Sequence, residues 1–261
     1  AGPGRFHGRI QAALRLMPER FTWHARPGLA GGIDKDGTRV AALLAMGFGS
    51  VEIGSVMPEA VPDVAARLLP LHQSGLSAIG VGVGLSPELS AERLSATWLA
   101  GLNGLWPAVD YLSFNLSAKA NQRFLQADHW PHFARACLAV TFQRDRLQSE
   151  SARHLPVALK LPLGAGADAL PMAAFVAAAA GFDQLTLVLP EAEDRFSRLA
   201  ELARQLDQGP ALVAVGGIRS AADVRAARQA GAAGVQVHRL FVERGAACLA
   251  ALDPAWSAFI R

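Results

Sequence analysis

Short apolar runs alternate with helical patterns along nearly the whole of this chain. The runs fall at 28–33 (GLAGGI), 49–54 (GSVEIG), 78–83 (AIGVGV), 109–115 (VDYLSFN), 156–161 (PVALKL), 182–188 (FDQLTLV), 211–216 (ALVAVG) and 233–238 (AGVQVH). Each is close to continuously apolar, as strands buried on both faces are. Ala/Leu/Arg-rich segments with helical spacing occupy 36–46, 61–71, 86–104, 127–149, 168–180, 191–207, 219–230 and 241–252. The punctuation agrees: Asp168 precedes one helix and Gly181 follows it, while Ser220 and Gly231 flank another. Eight strands, each followed by a helix, predict an α/β fold, a (β/α)8 TIM barrel that uses residues 27–261 as a single domain. Residues 1–26 are an extension in which RIQAALRLM predicts one short amphipathic helix capping the barrel bottom.

Composition removes several alternatives. With 51% apolar and 18% charged residues among 261, the chain is globular and long enough to need no staples. No apolar run approaches the roughly 20 residues of a transmembrane span, and no signal peptide is visible at the N-terminus. Cys137 and Cys248 sit inside helical patterns without metal-ligand spacing. They predict no metal site and fit a reducing, cytoplasmic compartment. A net charge of +3 with no basic run argues against nucleic acid as a partner.

Ligands of such a barrel sit at the C-terminal ends of its strands. Those ends carry Asp34 and Lys35, Ser55, Gly82 and Gly84, Asn115 with Ser117 and Lys119, Lys160, Val188 and Leu189, Gly216 and Gly217, and His238 and Arg239. Of the 25 basic residues only Lys35, Lys119 and Lys160 are lysine, and all three fall in this set. Arginine serves the surface elsewhere, so each lysine departs from the habit of the chain. A lysine ending an apolar strand must meet an anion or bear a large desolvation cost. Lys35, Lys160 and Arg239 are therefore expected to converge on a bound anion. The Gly216-Gly217 pair after strand seven and His238-Arg239-Leu240 after strand eight stand where barrels commonly hold a phosphate on backbone N–H groups. GVGVG at 80–84 does not match a dinucleotide fingerprint. The stretch YLSFNLSAKAN, 111–121, begins as a buried strand and ends in alternating Asn115, Ser117, Lys119 and Asn121, a polar end suited to a ligand.

The segment GLAGGIDKDGTRVAALLAMGFGSVEIGSVMP, 28–58, resembles the first two strands of the quinone-linked, class 2 dihydroorotate dehydrogenases. Weaker matches follow in order through YLSFNLS, VALKL and the glycine-pair segment 215–245. The resemblance implies an FMN barrel that oxidises dihydroorotate. Ala30 and Gly31 then match a backbone contact to the flavin ring. Lys35 matches a lysine near substrate and flavin, and Ser55 a threonine on FMN. Asn115 opens the Asn-x-Ser-Ser-Pro-Asn motif, Lys160 matches the flavin-contacting lysine, and Gly216-Gly217 match the phosphate-binding glycines. Substrate contacts are implied for Lys35 and Asn115, and Lys119 is a further candidate.

The residues of the reaction itself depart from the pattern. The serine general base of the motif falls on Ala118, and the following Pro-Asn on Lys119-Ala120. A Thr-Asn pair after strand six falls on Val188-Leu189, and a third-strand asparagine on Gly82. The phosphate turn after strand eight falls on His238-Arg239-Leu240. Met57 to Ser77 is too short for the Asn-rich substrate loop, and the N-terminal segment too short for the helical quinone tunnel. No cysteine replaces the serine. No catalytic residue is assigned, although Ser117 and Lys35 remain candidates. Three readings follow. The chain is a divergent flavoprotein binding FMN or another phosphorylated ligand, or a non-catalytic scaffold or regulatory subunit with a protein partner or its own copies. In the third, it is a Schiff-base lyase or isomerase using Lys160, for which no carboxylate is evident at neighbouring strand ends.

Overall fold

The computed structural model describes residues 22–256, apart from 73–76, 152 and 167. The apolar runs form eight parallel strands: β1 Gly28–Leu29, β2 Ser50–Val56, β3 Ala78–Val83, β4 Tyr111–Asn115, β5 Val157–Pro162, β6 Gln184–Val188, β7 Ala211–Val215 and β8 Gly234–Val237. They pair in chain order and close into a barrel, with Gly28 of β1 opposite Gln236 of β8. Helices α1 Val40–Ala45, α2 Val61–His72, α3 Leu94–Leu105, α4 Trp130–Ser151, α5 Met172–Ala180, α6 Arg195–Leu206, α7 Ala221–Gln229 and α8 Arg239–Arg244 follow the strands in turn. A further helix, α9 Ala247–Trp256, ends the described chain. The (β/α)8 barrel expected from the pattern is thus present.

The two faces of the strands differ more than the sequence pattern implies. Alternate residues such as Val51, Ile53, Val81, Leu112, Phe114, Leu159 and Leu185 pack outward in one apolar core with helix residues including Val64, Trp98, Phe133 and Leu202. Their neighbours in sequence face the barrel interior, and many are polar. Glu52, Ser113, Lys160, Gln184, Thr186 and Gln236 are all buried. The strands are therefore not continuously apolar. A closed barrel tolerates inward polar groups because they bond to one another across its lumen. Tyr111, the only tyrosine of the chain, lies among them. Its hydroxyl donates to Glu52 at 3.4 Å and accepts from Gln236 Nε2 at 3.2 Å. Space for its ring depends on Gly80, where a Cβ would stand 2.0 Å from the Tyr111 ring.

A 3-10 turn at Thr22–Ala25 closes the bottom. The Trp23 ring lies parallel to that of Tyr111, with centroids 6.0 Å apart. His24 packs against Gly234 and hydrogen-bonds to Gln184 at 3.1 Å. The helix expected in RIQAALRLM falls on residues 9–17, outside the described residues. Of the expected helix ends, Ser220 caps α7 by accepting from the Asp223 N–H at 3.3 Å, and Gly181 ends α5 with φ 90°. Asp168 does not cap α5. That helix begins at Met172 behind Pro171, and Asp168 instead accepts from Ala165 N–H at 3.1 Å, closing the loop before it. Proline disfavours helical backbone in the residue before it, so the helix cannot start as early as the composition invites.

Burial lowers the His24 pKa from 6.5 to about 4, opposed by the bond to Gln184 and aided by Arg228. The unfolded chain therefore takes up a proton near pH 6.5 that the folded chain refuses until about pH 4. The stabilising effect of a neutral His24 is complete above the unfolded value and is lost as pH falls between the two, by up to about 3 kcal/mol. Urea unfolding midpoints should fall across this window in the wild type and change less in His24→Gln.

Candidate ligand site at the barrel mouth

The C-terminal ends of the strands surround a cavity of about 670 Å³, within the range of roughly 300–1,000 Å³ typical of small-molecule sites. Of the nine residues expected to bind a cofactor, eight line it: Ala30, Gly31, Asn115, Lys160, Gly216, Gly217, His238 and Arg239. Ser55 does not line it but accepts a hydrogen bond from Asn115 Nδ2 at 3.1 Å. Asn115 Oδ1 accepts from both the backbone N–H and the hydroxyl of Ser117, at 2.9 and 2.7 Å. These bonds fix the end of β4, and Ser117 also lines the cavity. Lys35 and Lys119 are exposed and stand outside the lining, as does Ala118. Asn121 is buried and donates to the Asn115 carbonyl at 3.1 Å, so it supports the strand end from behind.

Behind the lining residues Lys160 and Gly31 lies a carboxylate that the sequence pattern did not single out. Glu52 is 2% exposed and lies 3.1 Å from the Lys160 ammonium. It also accepts from Tyr111 and from Gln236 Nε2, the latter at 3.2 Å. The anion required by Lys160 is therefore supplied by the chain itself. Of the three cations expected to converge, Lys160 and Arg239 line the cavity and Lys35 is exposed outside the lining. Lys160 pairs with Glu52, and Arg239 pairs with Glu191. The other two cations of the lining are engaged as well, Arg195 with Asp223 at 3.0 Å and Arg219 with Glu243 at 2.9 Å. Mutual repulsion among unpaired cations is thus no argument for an anionic ligand here.

What favours an anion is geometry at one end. Gly216 and Gly217 have φ of 90° and 67°, the left-handed region that glycine adopts without strain. A Cβ on Gly216 would meet the Leu189 carbonyl at 3.1 Å, so this turn packs too closely for side chains. Facing it, His238 precedes α8 and Arg239 opens it. Burial, then Lys160 and Arg239, lower the pKa of His238 below its ordinary value. The ring is neutral near pH 7 and can donate or accept a hydrogen bond. Beside the glycine turn, Val188 and Leu189 present apolar surface, and Glu191, paired with Arg239, and Glu193 present carboxylates. Among the described residues no group of His, Cys, Asp and Glu is arranged to hold a metal ion, and no helix is long and apolar enough to cross a membrane.

These features define a (β/α)8 barrel with a cavity at its mouth and a glycine pair at the end of β7. The sequence resemblance is matched by comparison with known proteins. The chain is similar to the quinone-type dihydroorotate dehydrogenase of Bordetella pertussis, at 26% identity covering 92% of this chain and 83% of that one. A second such enzyme, from Alkalilimnicola ehrlichii, is 28% identical, covering 91% and 86%. Among solved structures, a dihydroorotate dehydrogenase of Eimeria tenella in complex with ferulenol superposes with a TM-score of 0.70 at 18% identity, covering 97% of this chain and 90% of that one. No family model matches the chain.

The buried pair yields a direct energetic test. Removing one partner of such a pair leaves an uncompensated charge and costs about 3–5 kcal/mol. Lys160→Met and Glu52→Gln should each destabilise the fold. The double variant should be more stable than the sum of the two losses predicts, by at least about 1 kcal/mol in a double-mutant cycle of urea unfolding.

Proposed function

We propose that this chain is a divergent relative of the dihydroorotate dehydrogenases that binds a phosphate-bearing ligand, FMN in the first instance, and no longer carries out ordinary dihydroorotate oxidation. One observation carries the reading: residues matched individually to flavin contacts in distant segments of the sequence line a single cavity of suitable size. The fit is good at the phosphate end, where Gly216 and Gly217 leave their backbone open, and at Ala30 and Gly31 after β1, next to β8. Lys160 of β5 and Asn115 of β4 complete the lining from the far side of the barrel. FMN, when bound, supplies a hydride acceptor, and the remaining chemistry depends on what the chain places beside it.

The chain places little there for proton abstraction. Ala118 has no group that accepts a proton. The Ser117 hydroxyl donates to an amide oxygen, which is not a base, so nothing activates it. Val188 and Leu189 leave a carboxylate or ring amide unpaired, at about 1–3 kcal/mol for each such group. Glu193 adds a carboxylate to the lining, whereas Glu191 is paired with Arg239. The Schiff-base reading gains a nearby carboxylate in Glu52 but loses more. Lys160 would have to break its buried pair with Glu52 before attacking a carbonyl. The scaffold reading draws on the same absence of a base and differs in predicting that no flavin binds.

Titration with FMN, followed by the visible absorption of the bound flavin, is expected to give a one-to-one complex. A chain that leaves the flavin spectrum and fluorescence unchanged would remove this reading in favour of the scaffold. A positioned general base is worth about 10²–10⁴ in rate. If the base were all that had been lost, Ala118→Ser should recover turnover. Orotate formation with an artificial acceptor should instead stay undetectable in both the wild type and this variant, because misplacement by about 1 Å already costs about a hundredfold.

A further inference from the structure

One buried donor at the mouth has no acceptor. Arg195 opens α6 and lines the cavity. Its Nη1 donates to the Ala192 carbonyl at 3.1 Å and its Nη2 to Asp223 at 3.0 Å. Its guanidinium stands 4.5 Å from the ring centre of Phe196. Its Nε is buried and has no partner among the described residues. A Cβ on Gly217 would sit 3.1 Å from that nitrogen, so the unpaired N–H lies directly against the glycine turn. A buried donor left unsatisfied in a native fold is an exception that calls for an acceptor.

Asp223 locks this arrangement. One of its oxygens holds Arg195, and the other accepts from the Arg219 backbone N–H at 3.1 Å and the Ser220 hydroxyl at 2.8 Å. A single carboxylate thus ties the guanidinium to the segment that follows Gly216 and Gly217. Arg219 and Arg239 differ. Their side chains are 54% and 65% exposed against 24% for Arg195, and each lies on a glutamate at the rim.

Resting on the reading of the mouth as a phosphate-ligand site, we propose that Arg195 is the side chain that recognises the phosphate, a monoester dianion, with Asp223 as its positioning residue. A guanidinium has five N–H donors in a fixed fork. Two are used within the chain, which leaves one hydrogen on each Nη for phosphate oxygens and Nε–H where the glycine turn covers it; a planar fork suits phosphate oxygens as an ammonium does not. The backbone of Gly216 and Gly217, against which Arg195 packs, then holds the same group from beside the guanidinium.

The test compares FMN with riboflavin, which lacks only the phosphate, by calorimetry on the wild type, Arg195→Gln and Arg195→Lys. The wild type should bind FMN more tightly than riboflavin. Arg195→Gln should weaken FMN about 10- to 100-fold and leave riboflavin affinity unchanged, which also shows that the cavity is intact. Arg195→Lys should recover part of the loss, since it restores charge without Nε. If Arg195→Gln weakens both flavins equally, or neither, Arg195 has no phosphate-specific role and the inference fails alone. The same holds if the wild type does not distinguish the two flavins. Binding of neither flavin by the wild type would end the inference together with the reading of the site on which it rests.

Discussion

The pair formed by Lys160 and Glu52 organises the barrel interior. Two charges 3.1 Å apart inside a closed sheet are tolerable only because each has further polar neighbours. Tyr111 and Gln236 satisfy Glu52, and Gly80 makes room for the tyrosine ring. Trp23 then covers Tyr111 from below. One ion pair in mid-lumen thus links β2, β4, β5 and β8 beneath the cavity.

Above the pair, one stretch of the mouth gathers most of the polar chemistry. Glycine backbone after β7 and a neutral His238 after β8 stand beside Arg195 from the segment after β6. Val188 and Leu189 pack against the same glycine turn, and Glu191 is paired with Arg239. Hydrogen-bond donors suited to a phosphate are thus gathered around the glycine turn. The internal pairing of every cation in the lining has the same consequence. Binding must come from oriented donors at one place, not from a general positive potential.

Much of the fold was legible in the sequence because strand periodicity, glycine stops and the Ser220 cap are local signals. Eight strands arose where eight apolar runs stood. The cofactor candidates were legible as strand ends, and the barrel brings eight of the nine into one lining. Glu52 was not, because its meaning lies in a contact 108 residues away that only closure of the barrel creates. It sits in mid-strand, where inward and outward faces cannot be told apart until the register is known. Arg195 was hidden for another reason. In a chain that uses arginine as its ordinary surface cation, one arginine with a buried Nε looks like the rest. Asp168 misled because a cap residue is recognised by type, while Pro171 decided where α5 could begin.

The most direct measurement is a crystal structure of the chain grown with FMN. The account predicts the phosphate over Gly216 and Gly217 within hydrogen-bonding distance of Arg195, and the pair between Lys160 and Glu52 unbroken below the ring. A phosphate held by Lys160 with Glu52 displaced, or a flavin bound away from the mouth, would contradict it.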